Sequence, residues 1–200
     1  PMIILFLLGA IQGMVGWIMV QSGLEDSELL YVSHYKLAIH FVLALGLLCY
    51  TIWFAFDLLI PKEQIVVHAP LRKFANWLVV LLVIQLIYGA FMAGLKAATI
   101  APTWPSINGT WWPSNVHSQG NREFSGLSFL TDNPLVIHFI HRNLAYIISV
   151  LVFIWWWQAR KVQGTTLFQR TKALPLLIVL LQVLLGVLTV LNALQAKAFL

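Results

Sequence analysis

The sequence predicts an all-α, polytopic membrane helical bundle with five transmembrane helices. Its composition is the first observation, because 60% of the residues are hydrophobic and only 10% are charged, whereas soluble domains carry about a quarter charged residues. The second is a set of five apolar segments, each close to the roughly 20 residues that cross a bilayer as a helix. The third is the distribution of lysine and arginine, which alternates between successive connections. Together they predict a multi-pass protein embedded in a lipid bilayer.

The five predicted helices follow one another with connections of unequal length. They cover residues 2–20, 37–60, 77–95, 134–157 and 174–194. The first segment exceeds the roughly 7 to 15 apolar residues of a signal peptide and lacks a basic leader, so a spanning helix is predicted there. Because the chain begins at Pro1, already within an apolar run, we expect it to be a piece of a longer protein.

Basic residues predict which connections are cytoplasmic. The connections after the second and fourth helices carry most of them, namely Lys62, Arg72, Lys73, Arg160, Lys161, Arg170 and Lys172. The connection after the first helix contains Glu25, Asp26 and Glu28 and is expected on the outer side. This sidedness accounts for most of the net charge of +5, so no nucleic-acid partner is needed to explain it.

A short pattern recurs in the first, third and fifth helices. Glutamine followed four residues later by glycine occurs at Gln12 and Gly16, at Gln85 and Gly89, and at Gln182 and Gly186. All three helices are expected to begin on the cytoplasmic side, so the repeat is parallel and does not favour a transporter built from inverted repeats. Helix packing, with glycine allowing close approach and glutamine bonding across helices, is the simplest interpretation of the spacing.

Two histidines occupy matching places between these repeats. His40, in LAIHF, and His141, in FIHRNLAY, lie within the first two turns of the second and fourth helices from the outer side. Titratable groups inside a spanning helix are costly and mark functional sites. An imidazole binds iron through one ring nitrogen while the other donates a hydrogen bond, so the pair predicts axial ligands to heme iron. Hydrogen-bonded packing is the alternative for both.

Two further polar residues accompany His141 in the same helix. His138 shares roughly its face, and both a supporting role beside a ligand and simple packing remain open. Arg142 is suited to pair with a heme propionate through its forked guanidinium near the outer surface. The alternative for Arg142 is extension to the membrane interface.

The connection between the third and fourth helices, residues 96–133, is too long for a simple connector, and such loops are usually functional or disordered. Trp104, Trp111 and Trp112 argue against disorder. They are either interface anchors or a lid over the edge of a cofactor. The remaining histidines, which we expect to be solvated, are His34, His68 and His117.

The whole chain resembles, in order and spacing, the heme A synthases of aerobic bacteria and mitochondria. The matching segments are GMVGWIMVQSGL, SHYKLAIH, YGAFMAGLKAATIAPTWPSING, HFIHRNLAY and LLQVLLGVLTV. The resemblance implies helices three to seven of eight, in two pseudo-symmetric four-helix halves. Residues 1–60 would supply the second helix pair of the amino-terminal, substrate-heme half, and residues 61–76 a cytoplasmic link. Residues 77–200, with outer loop 96–133, would supply the first three helices of the heme b half.

The resemblance also implies a reaction, the oxidation of a methyl group of heme O to the formyl group of heme A for cytochrome oxidase. Each half of the family binds one heme between two histidines. His40 would therefore serve the substrate heme O and its product heme A, and His141 a heme b that passes electrons. The TWPSING loop adds Trp104 and Asn108, and the HR motif adds Arg142, as cofactor-binding residues. No catalytic residue can be named, because the family's glutamate lies outside this chain.

The chain departs from the family pattern in several ways. His138 stands where the family has glutamine, and the outer cysteine pair is missing. Neither heme would be fully ligated by this chain alone. Applying the Gln12-to-His40 offset to Gln182 projects a further histidine near position 210, beyond Leu200.

The resemblance implies an integral, multi-pass protein of the bacterial inner membrane or the mitochondrial inner membrane. Beyond the bilayer and heme O, the expected partners are heme O synthase, cytochrome oxidase assembly factors and further copies of the same chain. A di-heme b-type electron-transfer protein without substrate chemistry would use the same histidines, and it is the alternative function.

Overall fold

Seven α-helices and one short β-hairpin form the part of the chain that the computed structural model describes, residues 2–24, 31–114, 116–119 and 122–193. The helices are α1 (Met2–Gln21), α2 (His34–Leu59), α3 (Ala69–Gly94), α4 (Gly126–Thr131), α5 (Pro134–Ala159), α6 (Thr166–Thr171) and α7 (Leu174–Leu191). The hairpin pairs β1 (Ser118–Gln119) with β2 (Arg122–Glu123). Five segments are long and apolar enough to span a membrane, namely α1, α2, α3, α5 and the stretch Thr166–Leu191. The predicted bundle of five membrane-spanning helices is confirmed. The acidic residues expected on the outer side, Glu25, Asp26 and Glu28, lie outside the described residues.

Local capping explains where the two central helices begin. Asn133 caps α5, since its Oδ1 accepts from the backbone N–H of Leu135 at 3.0 Å and of Val136 at 3.2 Å. His68 caps α3 in the same way, because its Nδ1 accepts from Leu71 N–H at 3.3 Å. As a result α3 begins at Ala69, eight residues before the expected start, and residues 69–76 of the expected link are helical.

Packing runs from each spanning helix to the next along the chain. The α3–α5 contact is the most extensive, followed by α2–α3, α1–α2 and α5–α7. One buried cluster joins α2, α3 and α5 through Ala38, Ala90, Phe91 and Ile137, and another joins α3 to α5 through Leu78, Ile148 and Val152. Many large apolar side chains on the helices face outward, as expected where lipid or further helices take the place of water.

The connections meet in two groups at opposite ends of the bundle. At the outer end, which carries residues 95–133, Tyr35 OH donates to Thr131 Oγ1 at 2.8 Å and to Asp132 Oδ1 at 2.9 Å. At the inner end, which carries residues 60–68 and 160–173, Thr165 Oγ1 donates to Gln64 O at 2.8 Å. This grouping agrees with the alternation predicted from the basic residues.

Candidate functional site

A cavity of about 730 Å³ lies between α2, α3, α5 and α7 and beneath the outer loop. Its wall is mostly apolar. The polar residues and glycines in it are Gln85, Gly89, His138, His141, Arg142, Tyr146, Gln182, Gly186 and Thr189, and Trp104 joins them from the loop. The volume is within the range of about 300 to 1,000 Å³ typical of sites for small molecules and cofactors. The structure therefore brings together His138, His141, Arg142 and Trp104 of the predicted site residues.

His141 is held in one tautomer by the helix it packs against. Its Nδ1 lies 3.2 Å from the backbone carbonyl oxygen of Gln85, which can only accept, so Nδ1 carries the proton and donates it. Its Nε2, 3.3 Å from Nε2 of the Gln85 side chain, is then the nitrogen with the free electron pair. A carbonyl holding Nδ1–H is the usual support for a histidine that binds a metal through Nε2.

His40 on α2 also contacts a glutamine of a repeat helix, but through different bonds and outside the cavity wall. Gln12 Nε2 lies 3.1 Å from Nδ1 and 3.3 Å from Nε2 of the ring, and it donates to the His40 carbonyl at 3.0 Å. The side chain is half-buried against α1. Each predicted iron ligand therefore contacts the glutamine of a repeat helix, Gln12 for His40 and Gln85 for His141.

The glycines of the repeat make room for the two imidazoles. A Cβ placed on Gly16 would lie 2.8 Å from Cε1 of His40, and one placed on Gly89 would lie 3.1 Å from Cε1 of His141. Around Gly186 no described atom lies within 4 Å of such a Cβ. The spacing had suggested helix packing alone, and the structure adds that a histidine is what packs there. The signal was present in the sequence, since the first glutamine–glycine pair precedes His40 and the second precedes His141.

Arg142 makes contacts different from those expected. It is only 8% exposed, so it does not extend to the interface. Its Nη1 donates to the carbonyls of Pro105 at 3.2 Å and Ser106 at 2.8 Å. Its Nη2 donates to the carbonyl of Thr103 and contacts His138 Nε2, both at 2.8 Å. Both terminal nitrogens thus bind backbone carbonyls of the outer loop, and the contact with a heme propionate stays a prediction.

Asn108 is not part of the cavity wall, and its role as a cofactor-binding residue stays a prediction. It is exposed, and its backbone has a left-handed φ of 50°, followed by Gly109 at φ 86°. Its Nδ2 donates to Ile100 O at 3.2 Å and its N–H donates to Thr103 Oγ1 at 2.7 Å. Asn-Gly favours a tight turn of this kind, so Asn108 shapes the loop that carries Trp104.

The three histidines expected to be solvated all have partners. His34 Nε2 lies 3.0 Å from Thr131 O and 3.3 Å from Asp132 Oδ1, across the outer end of the bundle. His68 caps α3 through Leu71, and the ring of His117 stacks on Phe129 with a centroid separation of 5.1 Å. His117 is nevertheless exposed, as expected. The expectation was wrong for His34 and His68, because their partners are distant in sequence or belong to the backbone.

Three buried polar atoms of cavity-lining residues have no hydrogen-bond partner among the described residues. They are Gln85 Oε1, His138 Nδ1 and the hydroxyl of Tyr146. Buried polar groups usually have partners, so an additional group in the cavity would account for them. The described residues contain no cluster of three or more metal-ligating side chains. A largely apolar cavity with one imidazole electron pair and spare polar atoms fits a heme better than a metal held by protein alone.

Sequence reasoning had not selected Tyr146 for the site. It lies four residues after Arg142 on α5, which places both on one face of the helix. That spacing was the available signal.

Comparison with known proteins agrees with this geometry. The family model COX15-CtaA, described as cytochrome oxidase assembly protein, matches residues 1–199. The heme A synthase of Flavobacterium johnsoniae is 35% identical over 190 residues, which are 94% of this chain and 54% of that protein. The heme A synthase of Bartonella henselae is 33% identical over 191 residues, 96% of this chain and 52% of that protein. The heme A synthase of Brucella anthropi is 36% identical over 188 residues, 94% of this chain and 50% of that protein.

The chain thus spans about half the length of the curated relatives it matches. No solved structure matches it. Its five apolar spans and its bacterial relatives identify an integral, multi-pass protein of the inner membrane. Because the family match extends over nearly the whole chain, the chain belongs to the COX15-CtaA family of cytochrome oxidase assembly proteins.

Proposed function

We propose that this chain is part of a heme A synthase, which oxidises a methyl group of heme O to the formyl group of heme A. One observation carries the proposal, namely that a histidine contacts a glutamine–glycine pair at two places. His40 contacts Gln12 and lies against Gly16. His141 contacts Gln85 and lies against Gly89. Two equivalent histidine sites suit an enzyme that holds two hemes. The names of its relatives supply the product, heme A.

In this proposal His141 binds the iron of heme b through Nε2, while the Gln85 carbonyl keeps the proton on Nδ1. Heme iron bound there would supply one-electron chemistry that the side chains lack. Gln85 Nε2, which now contacts the histidine Nε2, would yield that place to the iron. The apolar wall of α3, α5 and α7 excludes water from the site.

His40 serves the substrate heme on the other side of α2. This assigns residues 1–60 to the substrate half and residues from 77 onward to the heme b half. The cavity wall also contains Leu37, Phe41 and Leu45 of α2. In this assignment α2 has two roles. One face carries His40, and another face forms part of the wall of the heme b cavity.

The test is to extract pigment from the purified full-length gene product and from two variants. His141→Ala should lose heme b, because no other described histidine offers Nε2 to this cavity except His138, whose Nε2 contacts Arg142. His40→Ala should keep most heme b and form no heme A. His117→Ala, in the outer loop, is the matched control and should resemble the parent protein.

The outcomes separate the possible functions. Heme O or heme A beside heme b supports the synthase. Heme b alone in the parent protein, under conditions where heme O is supplied, would instead indicate the di-heme electron-transfer protein. Full retention of heme b by His141→Ala would refute the assignment of that ligand. In the synthase, heme O synthase and oxidase assembly factors are the proposed partners for supply and delivery, and further copies of the chain for assembly.

A further inference from the structure

The guanidinium of Arg142 is committed to the protein itself. Its two terminal nitrogens carry four N–H groups and have four partners: the carbonyls of Thr103, Pro105 and Ser106 and the ring of His138. A cation that is 8% exposed in a spanning helix needs such neutral acceptors to be tolerated. Three of the four partners are carbonyls of residues 103–106 in the outer loop. Arg142 therefore holds this stretch of the loop against α5.

His138 completes the arrangement. Arginine can only donate, so the His138 Nε2 that lies 2.8 Å from Arg142 Nη2 must accept, and the proton of this ring sits on Nδ1. His138 is 1% exposed and cannot move far without disturbing the surrounding helices. It therefore fixes the direction of Nη2, and with it the bond from Nη2 to the Thr103 carbonyl.

The fastened stretch surrounds Trp104. The carbonyls that Arg142 binds belong to the residue before Trp104 and to the two residues after it. Trp104 is 45% exposed and also lines the cavity, so it lies between the cavity and the outside. Hydrogen bonds within the loop hold the same stretch. Thr103 Oγ1 donates to Ser106 O at 2.8 Å and accepts from Asn108 N–H at 2.7 Å.

We propose that Arg142 is a positioning residue that, with His138, holds residues 103–106 so that Trp104 covers the outer mouth of the cavity and slows escape of the bound heme. The inference rests on the proposed function, in which the cavity ligand is heme b. It differs from direct recognition of a propionate, because Arg142 acts on the ligand only through Trp104.

The experiment measures how fast heme b leaves the purified full-length protein to an excess of apomyoglobin. Arg142→Gln, whose two N–H groups cannot replace all four contacts, should release heme at least about five- to tenfold faster, the factor expected for the loss of one hydrogen bond of ordinary strength. Trp104→Ala should accelerate release at least as much. Trp111→Ala is the matched control, because Trp111 lies in the same loop, is 73% exposed and is absent from the cavity wall.

The double variant decides between indirect and direct action. If Arg142 acts through Trp104, adding Arg142→Gln to Trp104→Ala should not accelerate release further. Multiplicative effects of the two substitutions would overturn the inference, and so would an effect of Arg142→Gln with none of Trp104→Ala. Arg142→Lys keeps the charge but replaces the forked guanidinium, which makes four contacts through two nitrogens, with a single ammonium of three N–H donors, so it should behave like Arg142→Gln.

Thr103→Val removes the two hydrogen bonds of Thr103 Oγ1 in the same loop without altering α5. It tests the role of the loop if Arg142→Gln is not produced as a folded protein. Faster release from Thr103→Val than from the parent, and no further acceleration when it is combined with Trp104→Ala, supports the inference. An unchanged rate overturns it. Absence of heme b from the parent protein would instead refute the proposed function, so the two failures are distinguishable.

Discussion

Replacing Gly89 with alanine should displace His141. The new Cβ would lie 3.1 Å from Cε1 of the ring, whereas carbon atoms in comfortable contact are about 3.5 to 4.0 Å apart. The ring must therefore move away from α3 by about 0.4 to 0.9 Å. The same substitution at Gly16, where the contact is 2.8 Å, should move His40 further.

The energetic consequence follows from the bonds that this movement stretches. His141 is 3.2 Å and 3.3 Å from its two Gln85 partners, so a shift of this size breaks both, at about 1 kcal/mol each. Alanine gains about 1 kcal/mol over glycine in a helix. Gly186→Ala, with open space around the new methyl group, should keep that gain. Gly89→Ala should therefore be about 2 kcal/mol less stable than Gly186→Ala.

The assay compares Gly89→Ala and Gly186→Ala for free energy of unfolding in detergent and for heme b content of the membrane-purified protein. Loss of ligand support at His141 should lower heme b occupancy in Gly89→Ala and leave it unchanged in Gly186→Ala. Equal stability and equal heme b in the two variants would refute the claim that Gly89 exists to admit the His141 ring.

Three further outcomes are expected. Lys96 donates to the Tyr31 hydroxyl at 2.7 Å, and this bond together with the positive charge of Lys96 lowers the pKa of Tyr31. Lys96→Met should therefore raise the pKa of Tyr31, so that its tyrosinate absorbance appears at higher pH. Asn108→Ala keeps φ at 50° but loses the side-chain bond to Ile100 O that helps asparagine tolerate the left-handed region, so it should destabilise the loop by about 1 to 2 kcal/mol, seen as faster proteolysis there; Asn108→Gly, which adopts this φ without strain, should be less affected. Trp155→Phe removes the bond from Nε1 to Leu71 O, 3.1 Å long, and should lower thermal stability by about 1 kcal/mol; an unchanged melting temperature would contradict this.

The spans were predictable because hydropathy and charge report directly on the membrane. For α5 the expected segment 134–157 nearly coincides with Pro134–Ala159, since an asparagine cap and a proline mark its start. The start of α3 was missed because Arg72 and Lys73 interrupt the apolar run, although charged residues are compatible with a helix near the interface. Hydropathy detects the hydrocarbon layer, and the helix extends beyond it.

The site was predictable in its residues but not in its contacts. The sequence showed that His40 and His141 occupy matching places between the glutamine–glycine repeats, yet Gln85 and His141 are 56 residues apart and their contact needed the fold. The role of Arg142 could not be read from the sequence, because three of its partners are backbone carbonyls, which every residue carries. For the same reason Trp104 was predicted as a candidate lid while its anchor was not.

The contact between His34 and Thr131 has a consequence for how the protein is made. The two residues are 97 positions apart, so a ribosome adding about 5 to 20 residues per second needs roughly 5 to 20 seconds to pass from one to the other. During that interval α2 is already available for insertion while α4 and the start of α5 do not yet exist. Closure of the outer end is thus a late step of biogenesis, because α2 can bind the end of α4 only after Thr131 has been synthesised.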